Sequence, residues 1–278
     1  VTNQPLPTYF VSHGGGPWPY MDGEFRRHFA ELEGSLVRMR AELDNIPKAV
    51  LVVSGHWEKE AFTLSTAARP GMEYDYYGFP PHLYEIAYRS PGSPALAERA
   101  AGLLAAQGLP TDLDPQRGFD HGTFSIMKPL YPEEDVRVVQ VSLHASFDPA
   151  LHIAAGKALA PLRDEGVLII GSGLSYHNLQ AMQTGAGHEP SRQFDAWLRE
   201  TMLDTPPHER ERRLLQWTGA PSARAVHPRE DHLLPLMVVA GAAGAEPASL
   251  SYHQSDFFGG LSVSSFRFGE PPHERNDL

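Results

Sequence analysis

The sequence predicts an α/β protein: one domain, 1–278, built on a central, mostly parallel mixed sheet with helices on its faces and an antiparallel hairpin at the C-terminus. Three observations carry this. Short apolar, β-branched runs alternate with helix-period segments, the signature of strands joined by crossover helices. At 278 residues the chain closes one large core without help from disulfides. Two strand-like runs near the end flank Gly259-Gly260, as in a hairpin.

In order, the runs Thr8–Ser12, Ala49–Ser54, Val136–Leu143 and Val167–Gly171 are the predicted strands. Between the first two, Phe25, Phe29, Leu32, Leu36, Met39 and Leu43 recur at spacings of three and four, which predicts one helix over Glu24–Leu43. Ser93 is placed to cap a helix running to about Gln107, with Pro94 at its first position. Further helices are expected over Pro149–Glu165, Arg192–Asp204 and Asp231–Gly241, the last tolerating Pro235 only in its first turn. Ser249–Phe257 and Ser262–Phe268 form the hairpin. Thr205–His227, rich in Arg, Glu and Pro, reads as a surface excursion, and 270–278 as a frayed tail.

Composition removes several function classes. A formal charge of −11 argues against nucleic acid and anionic lipid as partners, since both need a basic face. The chain has no cysteine, so thiolate metal sites and cysteine nucleophiles are excluded, and any metal must be held by His, Asp or Glu. No apolar run approaches the ~20 residues of a membrane helix, and no leader-like segment opens the chain, which predicts a cytoplasmic protein. Walker, Gly-x-Gly-x-x-Gly, Gly-x-Ser-x-Gly and His-Glu-x-x-His motifs are all lacking. Nothing in the sequence marks an oligomeric interface.

The 14 histidines stand out against four lysines. His13 follows the strand Tyr9-Phe10-Val11-Ser12 and precedes three glycines; His56 follows Val50-Leu51-Val52-Val53-Ser54-Gly55; the run Val167–Ile170 passes through Gly171-Ser172-Gly173 to His177. Ligands of open α/β sheets bind outside the carboxyl ends of the strands, so three distant imidazoles are expected in one crevice. Each alone also fits a turn residue bonded to backbone. His121, between Asp120 and Gly122, is a candidate for a ring polarised by a neighbouring acid, or for an Asp-His pair closing a loop. His232 opens the helix predicted from Asp231, with Glu230 and Asp231 as alternative oxygen ligands. His227 lies five residues earlier, about 140° away on a helix, so the two do not share a helical face. The remaining histidines read as surface or satisfied core residues. Trp57, Tyr84 and Phe119 are either walls for an aromatic substrate or core.

The ordered set Ser12-His13-Gly14, Ser54-Gly55-His56-Trp57, Gly78-Phe79-Pro80 through Tyr84, Ser90-Pro91-Gly92-Ser93-Pro94, Gly118-Phe119-Asp120-His121-Gly122, Gly171-Ser172-Gly173 leading to His177-Asn178-Leu179, and Glu230-Asp231-His232-Leu233-Leu234-Pro235-Leu236 resembles the class III extradiol ring-cleavage dioxygenases, in particular the 4,5-DOPA dioxygenase-like branch. The resemblance spans residues 8 to 268. It implies a mononuclear non-haem Fe(II) centre, with a small catechol and O2 as substrates. It implies His13, His56 and His232 as metal ligands, His177 as the acid/base and His121 beside the substrate oxygens. Related enzymes use two histidines and a glutamate, the facial triad of Fe(II) oxygenases, whereas this chain has His232 there and Glu230 two residues earlier. Three imidazoles also suit Zn(II). A zinc hydrolase in the same cleft and a non-catalytic binding protein of the same fold are the alternatives.

Overall fold

The computed structural model describes residues 4–43 and 46–270. Its strands are β1 (Thr8–Ser12), β2 (Ala49–Lys59), β3 (Phe62–Ser65), β4 (Thr111–Asp114), β5 (Arg137–His144), β6 (Val167–Gly173), β7 (Ala248–Phe257) and β8 (Leu261–Phe268). They form one sheet in the order β4-β3-β5-β2-β6-β1-β8-β7. The four central strands, β5-β2-β6-β1, are parallel to one another. β3 meets β5 antiparallel, and the β7-β8 hairpin adds antiparallel to β1. β1 and β6 are buried along their whole length, as strands covered on both faces must be.

The helices are α1 (Gly23–Arg27), α2 (Ala30–Ala41), α3 (Pro94–Ala106), α4 (His121–Leu130), α5 (Pro149–Leu159), α6 (Leu179–Thr184), α7 (His188–Leu203), α8 (Pro207–Leu215), α9 (Ala223–Val226) and α10 (Leu234–Ala243). Ser93 caps α3 by accepting from the Leu96 amide at 3.4 Å, with Pro94 in the first turn. Among the described residues, no helix is long and apolar enough to cross a membrane.

Several expected elements differ in extent. The helix expected over Glu24–Leu43 is two, broken at His28 and Phe29. Phe29 turns inward against Trp18 while His28 stacks on Phe258, and the apolar spacing carries across the break unchanged, so periodicity does not reveal it. β2 continues past Ser54 to Lys59, and α10 starts three residues after Asp231, with Pro235 in its first turn. β3, β4 and α4 were not expected. β4 is the four-residue edge strand Thr-Asp-Leu-Asp without alternation, and α4 carries Pro129 inside it.

Thr205–His227 is not a surface excursion. It contains α8 and α9, and buries Leu214, Trp217, Val226 and His227. Its charged residues conceal this. Arg210 is itself buried, donating to the Gly244 and Glu246 carbonyls at 2.8 and 2.9 Å and lying over the Phe268 ring. Of the tail expected over 270–278, residues 271–278 lie outside the described residues.

Candidate metal centre

β2, β6 and β1 are adjacent and parallel, so their carboxyl ends share one edge of the sheet. His13 is the first residue after β1, and its amide donates to the Gly173 carbonyl at the end of β6, 3.1 Å away. His56 lies within β2 rather than beyond it. Between Val53 and Glu58 the pairing with β5 slips, advancing only from Val141 to Leu143 on the partner. Such a bulge re-aims a side chain, here out of the ladder and toward His13. His177 follows β6 after a short turn and is held by its amide bond to the Val226 carbonyl at 3.1 Å.

His232 arrives from the turn that leads into α10. This turn lies directly on β6: the Leu174 amide donates to the His232 carbonyl at 3.0 Å, and a Cβ on Gly173 would stand 2.1 Å from that oxygen. His121 is the first residue of α4. The buried Asp120 caps that helix, accepting from the Thr123 amide and the Ser54 hydroxyl, both at 2.9 Å, and from Arg117 at 2.6 Å. Burial pushes the Asp120 carboxyl up, against the pull of Arg117.

All five histidines singled out in the sequence meet. Nε2 of His56 lies 3.2 Å from Nε2 of His13 and 3.1 Å from Nε2 of His232. The His121 ring is 3.9 Å from His56, and the His177 ring stacks on His232 at 3.4 Å. Ligand atoms of His13, His56 and His121 fall within 4.8 Å of one another, as do those of His177, Asp231 and His232. Burial, then the neighbouring imidazoles, hold His13 and His232 well below the usual histidine range. Burial lowers His56 to about 3, Asp75 pulling the other way. Burial also lowers His177. Each neutral ring can turn an Nε2 lone pair toward the others, and three lone pairs so placed would repel unless a cation sat between them. Nitrogen atoms bound to one ion at about 2.1 Å stand roughly 3.0 to 3.4 Å apart for right-angled to tetrahedral arrangements. The spacing observed at His56 therefore suits a metal ion.

Two carboxylates back the rings. The His232 Nδ1 donates to Asp231 Oδ2 at 2.9 Å, and the other oxygen of Asp231, buried and without a hydrogen-bond partner among the described residues, lies 3.9 Å from His177 Nδ1. His121 Nδ1 donates to Asp75 Oδ1 at 2.8 Å, and Asp75 Oδ2 lies 3.4 Å from His56 Nδ1. Metal-binding histidines characteristically have such outer partners. Asp75 was missed in the sequence; its one local mark is an acid set between Tyr74 and Tyr76.

Glu230 and His227 do not join the cluster. Glu230 turns outward to Arg224, 2.7 and 3.1 Å away. His227 is buried with Nε2 3.1 Å from the Ser175 carbonyl, its ring packed on Phe194. Asp231 meets His232 through the ring's Nδ1, away from the converging nitrogens. Trp57 and Phe119 are core, 3% and 0% exposed. Tyr84 is half-buried beside Tyr76, whose ring is 6.1 Å from that of His121.

A parallel-centred sheet with a histidine cluster at one edge defines an α/β protein with a candidate metal centre. Residues 7–265 match the family described as the catalytic LigB subunit of aromatic ring-opening dioxygenase, and the chain belongs to that family. It is 37% identical over 264 residues to a 4,5-DOPA dioxygenase extradiol of Beta vulgaris, covering 94% of this chain and 96% of that one. It is 36% identical over 278 residues to the dioxygenase tasH of Hapsidospora irregularis, covering 95% and 85%. A crystal structure of an uncharacterized protein from Escherichia coli K12 superposes with a TM-score of 0.71 at 28% identity, covering 95% of this chain and all of that one.

Proposed function

We propose that this chain is an extradiol dioxygenase that opens the ring of a small catechol beside its two hydroxyls, with both atoms of O2 entering the product. The observation that carries the reading is the convergence of three neutral imidazole nitrogens at the sheet edge in a member of this family. His13, His56 and His232 would hold the metal, Fe(II) in this reading. Such an ion supplies the electron-transfer and Lewis-acid chemistry that lets O2 react with a bound catecholate.

The chain's own groups then handle protons and orientation. His177, neutral because it is buried, can accept a proton from a catechol hydroxyl at one ring nitrogen; Asp231 facing Nδ1 steadies the imidazolium that results. His121, its Nδ1–H committed to Asp75, keeps Nε2 for a substrate or oxygen atom. Tyr76 packs at the edge of the His121 ring and offers an apolar wall for an aromatic substrate.

Zinc hydrolysis is the second reading, favoured by one feature. The third donor is an imidazole, with Glu230 turned away to Arg224, so the donor set is the three-histidine set of catalytic zinc. Metal analysis of anaerobically purified protein, then oxygen uptake and the appearance of a yellow product from DOPA or related catechols after ferrous reconstitution, decides between them. Iron bound with no turnover across a catechol panel rejects the dioxygenase; zinc with hydrolysis and no ring cleavage supports the alternative. Capture of a catechol without turnover by the metal-loaded protein, unchanged on loss of His177, would indicate a binding protein.

A further inference from the structure

Asp75 sits between two histidines that belong to different parts of the proposed machinery. Its segment is pinned to the approach to α4, with the Phe119 amide donating to Gly71 at 2.9 Å and the Glu73 amide to Phe119 at 2.8 Å. That pairing delivers the carboxylate to the first turn of α4. Oδ1 accepts from both the backbone amide and the Nδ1–H of His121, at 3.1 and 2.8 Å. Oδ2 faces Nδ1 of His56 at 3.4 Å. Among the described residues, no lysine or arginine pairs with this carboxylate.

The carboxylate accepts a hydrogen bond from His121 Nδ1, and its negative charge 3.4 Å from His56 Nδ1, though not hydrogen-bonded to it, favours a proton on that nitrogen as well. A neutral imidazole has one N–H, and its other nitrogen must then carry the lone pair. We infer that Asp75 is a positioning residue that sets the tautomer of both rings at once: it holds His56 and His121 as Nδ1–H, so that both Nε2 lone pairs face the cluster. One side chain thereby prepares a metal-binding nitrogen and an acceptor for the substrate side. The inference rests on the metal-site part of the proposed function and not on ring cleavage.

The amide of an Asp75→Asn variant separates the two effects. Its carbonyl oxygen takes the place of Oδ1, where two donors from His121 converge. Its NH2 then replaces Oδ2 and donates to His56 Nδ1, which must become the acceptor, so the proton moves to Nε2. Long-range 1H–15N spectra of metal-free, 15N-histidine-labelled protein read the tautomers directly, with peaks assigned through His56→Gln and His121→Gln. The expected result is Nδ1–H at both rings in the wild type. In Asp75→Asn, His56 becomes Nε2–H while His121 is unchanged, and Zn(II) affinity by chelator competition falls about 10- to 100-fold. Nε2–H at either ring of the wild type overturns the inference, whether or not the variant folds. So does an Asp75→Asn protein whose His56 tautomer and zinc affinity are those of the wild type. Because the spectra need neither metal nor catechol, absence of ring cleavage would count against the proposed function and leave this result standing.

Discussion

Replacing Gly173 by Ala places a methyl group where the backbone of the His232 turn already lies. The new Cβ would stand 2.1 Å from the His232 carbonyl oxygen and 3.1 Å from its carbonyl carbon, with the Phe10 ring closing the other side at 3.1 Å. Restoring ordinary contact at 3.4 Å requires the turn or the strand to retreat by about 1.3 Å, because β6 is buried on all sides and neighbouring atoms repel steeply at shorter range. The retreat also stretches the 3.0 Å bond from the Leu174 amide to the same oxygen. Metal–ligand distances tolerate only about 0.2 Å, so a shift of this size takes His232 out of any common coordination sphere with His13 and His56. Metal affinity is expected to fall at least ~100-fold, the upper end of what losing an outer partner alone costs. Overpacking of about 1 to 3 kcal/mol should lower the melting temperature by roughly 2 to 12 °C for a chain of this size. Gly102→Ala is the control: exposed in α3 with nothing within 4 Å of the added Cβ, it should stabilise by about 0.5 to 1 kcal/mol. The assays are zinc competition against a chromophoric chelator and a thermal melt. If Gly173→Ala binds zinc within twofold of the wild type, the contact between β6 and the His232 turn does not control the site.

Other perturbations test separate parts of the structure. His177→Ala should keep metal stoichiometry and lose turnover by about 10²- to 10⁴-fold, the range for removing a general acid/base; steady-state rates beside metal analysis check this, and unchanged rates refute the assignment. His152 is buried, donating from Nδ1 to the Asp148 carbonyl at 2.7 Å, and burial lowers its pKa to about 4 from 6.5. The unfolded chain therefore binds the extra proton first: the stability this neutral ring allows is full above pH 6.5 and is lost as pH falls toward 4, by about 3 kcal/mol. Urea midpoints of metal-free protein between pH 7 and 4 should show a shallower acid decline in His152→Gln; parallel curves contradict the attribution. Gly156→Ala would put a Cβ 1.9 Å from the Val238 carbonyl where α5 crosses α10. Denaturant unfolding should report a loss of at least about 1 to 3 kcal/mol, with catechol turnover per folded molecule unchanged.

The central strands were legible because burial on both faces leaves apolar, β-branched runs, as in Val50–Val53 and Val167–Ile170. β4, with two aspartates at a sheet edge, leaves no such mark. Likewise, the folded nature of 205–227 was hidden because Arg210 satisfies two carbonyls from inside, a use of charge that local composition cannot separate from solvent exposure. At the site, glycines between apolar runs and histidines flagged His13, His56 and His177, since run, glycine and imidazole lie within a few residues of one another in the chain. Asp75 had no comparable flag, because its role depends on a segment docking against α4 from 46 residues away along the chain.

The sequence by itself determined the sheet-forming runs, the histidines at their ends and, through the order of its motifs, the family. These are written in consecutive residues, where side-chain type and backbone preference act over a few ångströms. Only the tertiary structure decided that β2, β6 and β1 lie side by side, that a bulge turns His56 out of its strand, and which carboxylate backs which ring. Those outcomes depend on contacts between residues tens to hundreds of positions apart, whose energies exist only once the chain has closed around its core.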